Sequence, residues 1–103
     1  MKIERYITAG VKASMPLELQ IFLWELQGNM RDTNKKIDYL QVYELKNSDD
    51  NNKKQLIIHR AEVPQYEERY EIAVEEIIEQ KIFIIEDQYE DKIVETMLLA
   101  EEY

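Results

Sequence analysis

His59 is the only imidazole in the chain, so histidine acid–base chemistry near neutral pH would have to use it. Glu62, close by in sequence, could orient the ring, which is the least that a general base needs. The sequence gives such a base nothing to activate. No serine or threonine stands in a nucleophile turn, and no glycine-rich strand-to-helix bend could display one. The two glycines, Gly10 and Gly28, are isolated, which excludes phosphate loops and dinucleotide fingerprints. The absence of cysteine removes disulfides, thiolate nucleophiles and cysteine-based zinc, haem or iron–sulfur sites. His59, flanked by Ile57 and Ile58, therefore reads as a half-buried structural residue near a strand end. No catalysis and no cofactor are expected.

Two acidic runs carry the hard oxygen ligands that calcium or magnesium uses: Asp49-Asp50-Asn51-Asn52, and Glu86-Asp87 with Glu90-Asp91. Neither has the spacing or the glycine of a calcium-binding loop. They read as solvated loop tips, and no metal is expected. Seven tyrosines and Trp24 could stack on bases, but base stacking comes with a basic groove. The chain has 22 acidic against 13 basic side chains, net −9, which argues against nucleic acid and against anionic membranes. Tyr39 and Tyr43 fall on the same face of one expected strand. With His59 or Glu44 as the polar group they could line a small-ligand pocket; ordinary core and rim aromatics are the plainer account.

The chain is 103 residues long, 45% hydrophobic and 34% charged, which fits one globular domain over residues 1–103. Charge is uneven along it. Residues 1–61 carry ten basic and eight acidic side chains, whereas residues 62–103 carry three and fourteen. The later half either shows solvent a glutamate-rich face or steers a basic partner. The opening MKIERYITAG has charges where an export signal needs an apolar core, and no window approaches a membrane span. A cytoplasmic protein is the expectation.

Arg5–Ala9 reads as a strand ending at Gly10, with Ser14 as a helix cap and Pro16 in the first helical turn. A helix runs from Leu17 to about Met30 or Arg31. Strand-forming runs follow at 37–45, 55–60, 70–75, 81–85 and 96–100, the last of these read as pairing back on 82–85. The polar stretch 46–54 is expected to be the most mobile internal segment, because it has no apolar anchor. The fold class is α+β: a mainly antiparallel, curved sheet (strand, helix, then about five strands) with one principal helix packed on it. Several strands are apolar on both faces, more than one helix can cover. Sheet curvature, a half-open barrel or a second copy of the chain must hide the remainder.

The helix has two apolar stripes. Phe22, Leu26, Leu19, Met30 and Leu23 form the one assigned to the sheet. Leu17, Ile21 and Trp24, with Gly28 extending the line, lie opposite, and polar residues including Gln20, Gln27 and Arg31 separate the two. The second stripe needs a cover: the Ile77-Ile78 segment, the tail from Leu98 to Tyr103, or another chain approaching closely at Gly28. Leu17, Ile21, Trp24 and Gly28 are thus the candidate association surface.

Four stretches, in order and spanning nearly the whole chain, resemble a family of small bacterial proteins known as domain of unknown function 960. They are Pro16–Trp24, Asp38–Leu45, Ile57-Ile58-His59 with Val63–Tyr66, and Thr96–Tyr103. The resemblance implies a single-domain cytoplasmic protein and carries no activity or site residues with it. The leading expectation is an interaction protein acting through protein–protein contact, as a homodimer. The alternative is a small-ligand-binding domain with its pocket between curved sheet and helix.

Overall fold

A computed structural model describes residues 2–48 and 54–103. The elements run β1 (Lys2–Ile7), α1 (Ala9–Ser14), α2 (Leu17–Thr33), β2 (Leu40–Asn47), β3 (Lys54–Glu62), β4 (Gln65–Ala73), β5 (Gln80–Gln88) and β6 (Lys92–Leu99), with a closing 3₁₀ turn at Ala100–Glu102. All six strands join one sheet in the order β1-β6-β5-β2-β3-β4. The α+β reading holds, with one main helix on the sheet. The sheet is mixed, however: β1 pairs parallel with β6, and the other four pairings are antiparallel. Local sequence signals hairpins, but nothing local says which edge a first strand will join. β5 returns to the free side of β2, β6 folds back on β5, and the edge left beside β6 takes β1.

The last strand pairs as expected, with Ile82 opposite Leu99 and Ile84 opposite Met97. Three boundaries differ. β4 begins immediately after the Val63-Pro64 turn, because Tyr66, Glu68, Tyr70 and Ile72 already alternate with outward-facing polar residues. β2 reaches Asn47 and β3 begins at Lys54, so the ends of the 46–54 stretch are strand; residues 49–53, with the acidic run there, lie outside the described residues.

The third difference is α1. The Thr8 hydroxyl accepts a hydrogen bond from the Val11 N–H at 3.3 Å and caps a short helix that buries Val11 completely. Strand β1 therefore stops at Ile7, Gly10 is helical, and Ser14 ends α1 instead of capping α2. Pro16 is the N-cap of α2, and its carbonyl accepts from the Leu19 and Gln20 N–H groups.

Gly10 admits a close neighbour. A Cβ placed there would lie 2.6–2.8 Å from the Glu102 carboxyl group. That carboxylate accepts from the Thr8 hydroxyl at 2.7 Å and the Leu99 N–H at 2.8 Å, so the chain's end is clasped onto the start of α1. The Thr8 hydroxyl and the Leu99 N–H hold its pKa below the usual carboxylate range. Gly10→Ala is expected to be neutral or mildly destabilising in the native chain, since the gain in helix propensity is offset by displacing the clasp. In a Glu102→Ala background the same change should stabilise by about 0.5–1 kcal/mol. Urea unfolding of the four chains checks this; the same sign in both backgrounds would refute the clasp.

Candidate functional site

The register sorts side chains onto two faces. Gln41, Tyr43 and Leu45 on β2 point toward α2 together with His59 and Ile57 on β3, Ile82 and Ile84 on β5, and Glu95 and Met97 on β6. Tyr43, Ile57, His59, Ile82, Ile84, Glu95 and Met97 there are all completely buried. The middle of the space between sheet and helix is thus filled with side chains, and at its edge a cavity of about 280 Å³ remains where Pro16 and Leu19 meet Ile72 and Val74. Beside the filled middle, Gln41, Tyr66, Asp38 and Met30 line a pocket of only about 20 Å³, room for a single water.

A chain of polar groups runs through this interior. The Glu95 carboxylate accepts from Arg5 Nε at 3.0 Å, from Gln27 Nε2 at 2.8 Å and from Arg31 Nη2 at 2.8 Å; Arg31 Nη2 also reaches Glu86, at 2.6 Å. The Tyr43 hydroxyl donates to Gln27 Oε1 at 2.6 Å. The Tyr43 ring stacks on His59 with centroids 4.1 Å apart, and His59 Nε2 lies 2.8 Å from Gln41 Oε1. Because Gln41 Nε2 donates to the Asp38 carbonyl, its oxygen faces His59, so Nε2 carries the ring proton and Nδ1 is left without a partner.

These environments set the charges. Burial alone would raise the pKa of Glu95, but hydrogen bonds from Arg31, Gln27 and Arg5 outweigh it and hold the carboxyl below the usual range. Burial pushes the His59 pKa down to about 4, so the ring is neutral. Burial also pushes the Tyr43 phenol well above its ordinary value. The result is an acid that stays ionised and a histidine that stays neutral, both sealed from solvent.

This arrangement corrects the reading of the helix. Leu19, Leu23, Leu26 and Met30 face the sheet as expected, but Gln20 and Gln27 are buried with them and Phe22 is pushed to the rim, against Tyr70. The buried face is turned toward the glutamines because each has a partner inside: Gln20 Nε2 donates to the Met15 carbonyl, and Gln27 joins Glu95 to Tyr43. On the other stripe Leu17 is 69% and Ile21 48% exposed, so this chain does not cover them. Trp24 packs on the core edge beneath the Arg5 guanidinium, 5.0 Å from its ring centroid. Gly28 makes room for the same arginine: a Cβ there would lie 3.3 Å from Arg5 Nη2. Ile78 is tied instead to Gln55, through its N–H and its carbonyl.

Of the three residues grouped as a pocket, the structure keeps Tyr43 and His59 together and separates Tyr39. Strand β2 starts at Leu40, and Tyr39, just outside the pleat, lies on the opposite side of the sheet beside Tyr103, whose phenol raises its pKa.

Among the described residues that opposite side carries no α-helix. Leu40, Val42, Phe83 and Ile85 form its centre, half-buried, with Leu98 next to them. Tyr103 packs edge-on against Phe83 at 5.5 Å. Between Val42, Phe83, Tyr39 and the exposed Val63 lies an open groove of about 570 Å³, with Arg60, Lys81, Asp38 and Glu62 at its margins. Asp38 braces it, accepting from the Leu40, Glu62 and Val63 N–H groups at 2.9–3.2 Å. Arg60 pairs with Glu44 on the same face. Among the described residues no cluster of three or more metal-ligating side chains occurs. Nor, among the described residues, is any helix long and apolar enough to cross a membrane.

Residues 4–102 match the family described as staphylococcal protein of unknown function, DUF960. A crystal structure of a protein of unknown function from Enterococcus faecalis is similar to the chain with a TM-score of 0.75 at 22% identity, over 97% of this chain and 90% of that one. This likeness shows the fold. Among curated proteins none matches.

Proposed function

The chain belongs to the DUF960 family, staphylococcal proteins of unknown function, and on that footing we propose that it is a non-catalytic, cytoplasmic protein that works through protein–protein contact at the open face of its sheet. The observation that carries this is the apolar centre formed by Leu40, Val42, Phe83 and Ile85 on the side without a helix. A solvated antiparallel face normally reads as polar, and a contiguous apolar patch on a soluble domain marks a contact site. The non-catalytic part is supported by the interior. Glu95 is engaged by two arginines and His59 is sealed without a nucleophile beside it, so neither group meets a substrate.

A photo-reactive phenylalanine analogue at position 83 should give higher-mass adducts in living cells, whereas the same analogue at the exposed Tyr89 should give none. Absence of adducts at position 83 would overturn the reading. A second reading, a small-ligand site, draws on the volume of the groove, which is within the range of ligand pockets. It would show as a bound small molecule retained by the native chain and lost from Lys81→Glu.

A further inference from the structure

The open face differs from the rest of the molecule in charge. By ladder register it holds Lys46, Lys54, Arg60, Arg69 and Lys81 around the centre, with Lys2 and Lys92 at the β1 corner. Its acidic side chains are Glu44, Glu62, Glu67 and Glu71, with Glu4 and Asp87 toward the β1 side. With Asp38 at the margin of its groove, the face therefore carries seven of the thirteen basic side chains and seven of the twenty-two acidic ones. It is close to neutral, and the net negative charge of the chain lies elsewhere.

Resting on the contact reading above, we propose that the partner of this face is a second copy of the chain, docked sheet against sheet about a two-fold axis. Three features select that occupant. A basic partner would be drawn to the acidic remainder of the surface, and a polyanion would be repelled by the net charge of −9. Two copies meeting on their balanced faces bring no like-charge excess together and keep the acidic surfaces outward. The ion pairs already present, Glu44 with Arg60 and Lys46, and Glu4 with Lys92, leave carboxylates and cations on both flanks of the apolar centre, as a self-complementary interface needs. The area also fits. Six strands about 4.8 Å apart and roughly 26 Å long span on the order of 750 Å², close to the roughly 800 Å² per partner of a standard interface. Val42 and Phe83, opposite each other in the ladder, become the centre of an aligned sandwich, with Tyr103, packed on Phe83, as part of the contact.

Sedimentation equilibrium over a concentration series tests this, with circular dichroism as the check on folding. The native chain is expected to sediment at twice 12.4 kDa. Val42→Lys, at the centre, should raise the dissociation constant on the order of 100-fold. Lys81→Glu alters an exposed residue with no core role and should raise it about tenfold, more at low salt. Ile21→Lys, on the helix, should leave the dimer intact. A native chain monomeric throughout overturns the proposal, as does a dimer that Ile21→Lys dissociates while Val42→Lys and Lys81→Glu do not. A monomer that still forms adducts at position 83 in cells retains the contact reading and refutes only self-association; a monomer without adducts refutes both.

Discussion

Glu95→Ala is expected to cost about 3–5 kcal/mol of folding stability, a large share of the roughly 5–15 kcal/mol available to a domain of this kind. Glu95 is completely buried and bonded by Arg5, Gln27 and Arg31. Removing it takes a shared carboxylate from two guanidinium groups and one amide at the junction of α2, β1 and β6. Arg31 keeps Glu86, at 2.6 Å, whereas Arg5, 37% exposed at its side chain, loses the carboxylate that holds it over Trp24. The damage should therefore be concentrated where β1 and α2 meet. Urea midpoints measure the loss, and amide exchange should show β1 opening before β3. A loss below about 1 kcal/mol would mean that the network contributes no more than an exposed ion pair does.

The second large effect is a pH dependence centred on His59. Its folded pKa is about 4 against an ordinary 6.5. The unfolded chain therefore takes up a proton as pH falls through 6.5, while the folded ring stays neutral until about 4. Stability rises with pH across that window and is lost on acidification, by about 3 kcal/mol in all at 1.36 kcal/mol per pKa unit. The ring faces Tyr43, Tyr66 and Gln41, and Glu68 lies opposite in the ladder. The carboxylates act lower down. Glu95 and Asp38 have folded pKa values below the usual range, so their contribution is present above the ordinary carboxylate pKa and is lost as pH falls through the depressed values. His59→Gln keeps a donor toward Gln41 and removes the titration. Urea unfolding between pH 7 and 4 should show the loss in the native chain and little of it in the variant. Equal slopes in the two would rule out His59 as the source.

Most of the elements and the acidic balance were legible in the residues themselves; α1 was not, since six residues are too few to show a helical period. Alternation marks β4, the 3.6-residue spacing of Leu19, Leu23, Leu26 and Met30 marks the buried side of α2, and the two-sided apolarity of 82–85 marks a strand, although only its Ile82 and Ile84 side is covered by the helix. The excess of apolar strand faces over helix was legible too, and the open face is where that excess lies. The candidate site was less so. His59 and Tyr43 were singled out without a sign that they stack, and Glu95, Arg31 and Gln27 carried no signal beyond their polarity. Gln20 and Gln27, seven residues apart on one side of the helix, were the available hint.

Local pattern thus determined what most segments become, α1 excepted, because periodicity and turn chemistry act within a few residues of chain. Only the tertiary structure decided that Gln20 and Gln27 join the buried face of α2, which edge β1 joins and where the charges meet. Each of these rests on partners far apart in sequence: Arg5 with Glu95, Gln27 with Tyr43, Thr8 with Glu102. A glutamine or a glutamate is indifferent between core and solvent until such a partner is within hydrogen-bond reach, and reach is set by the packed sheet and helix.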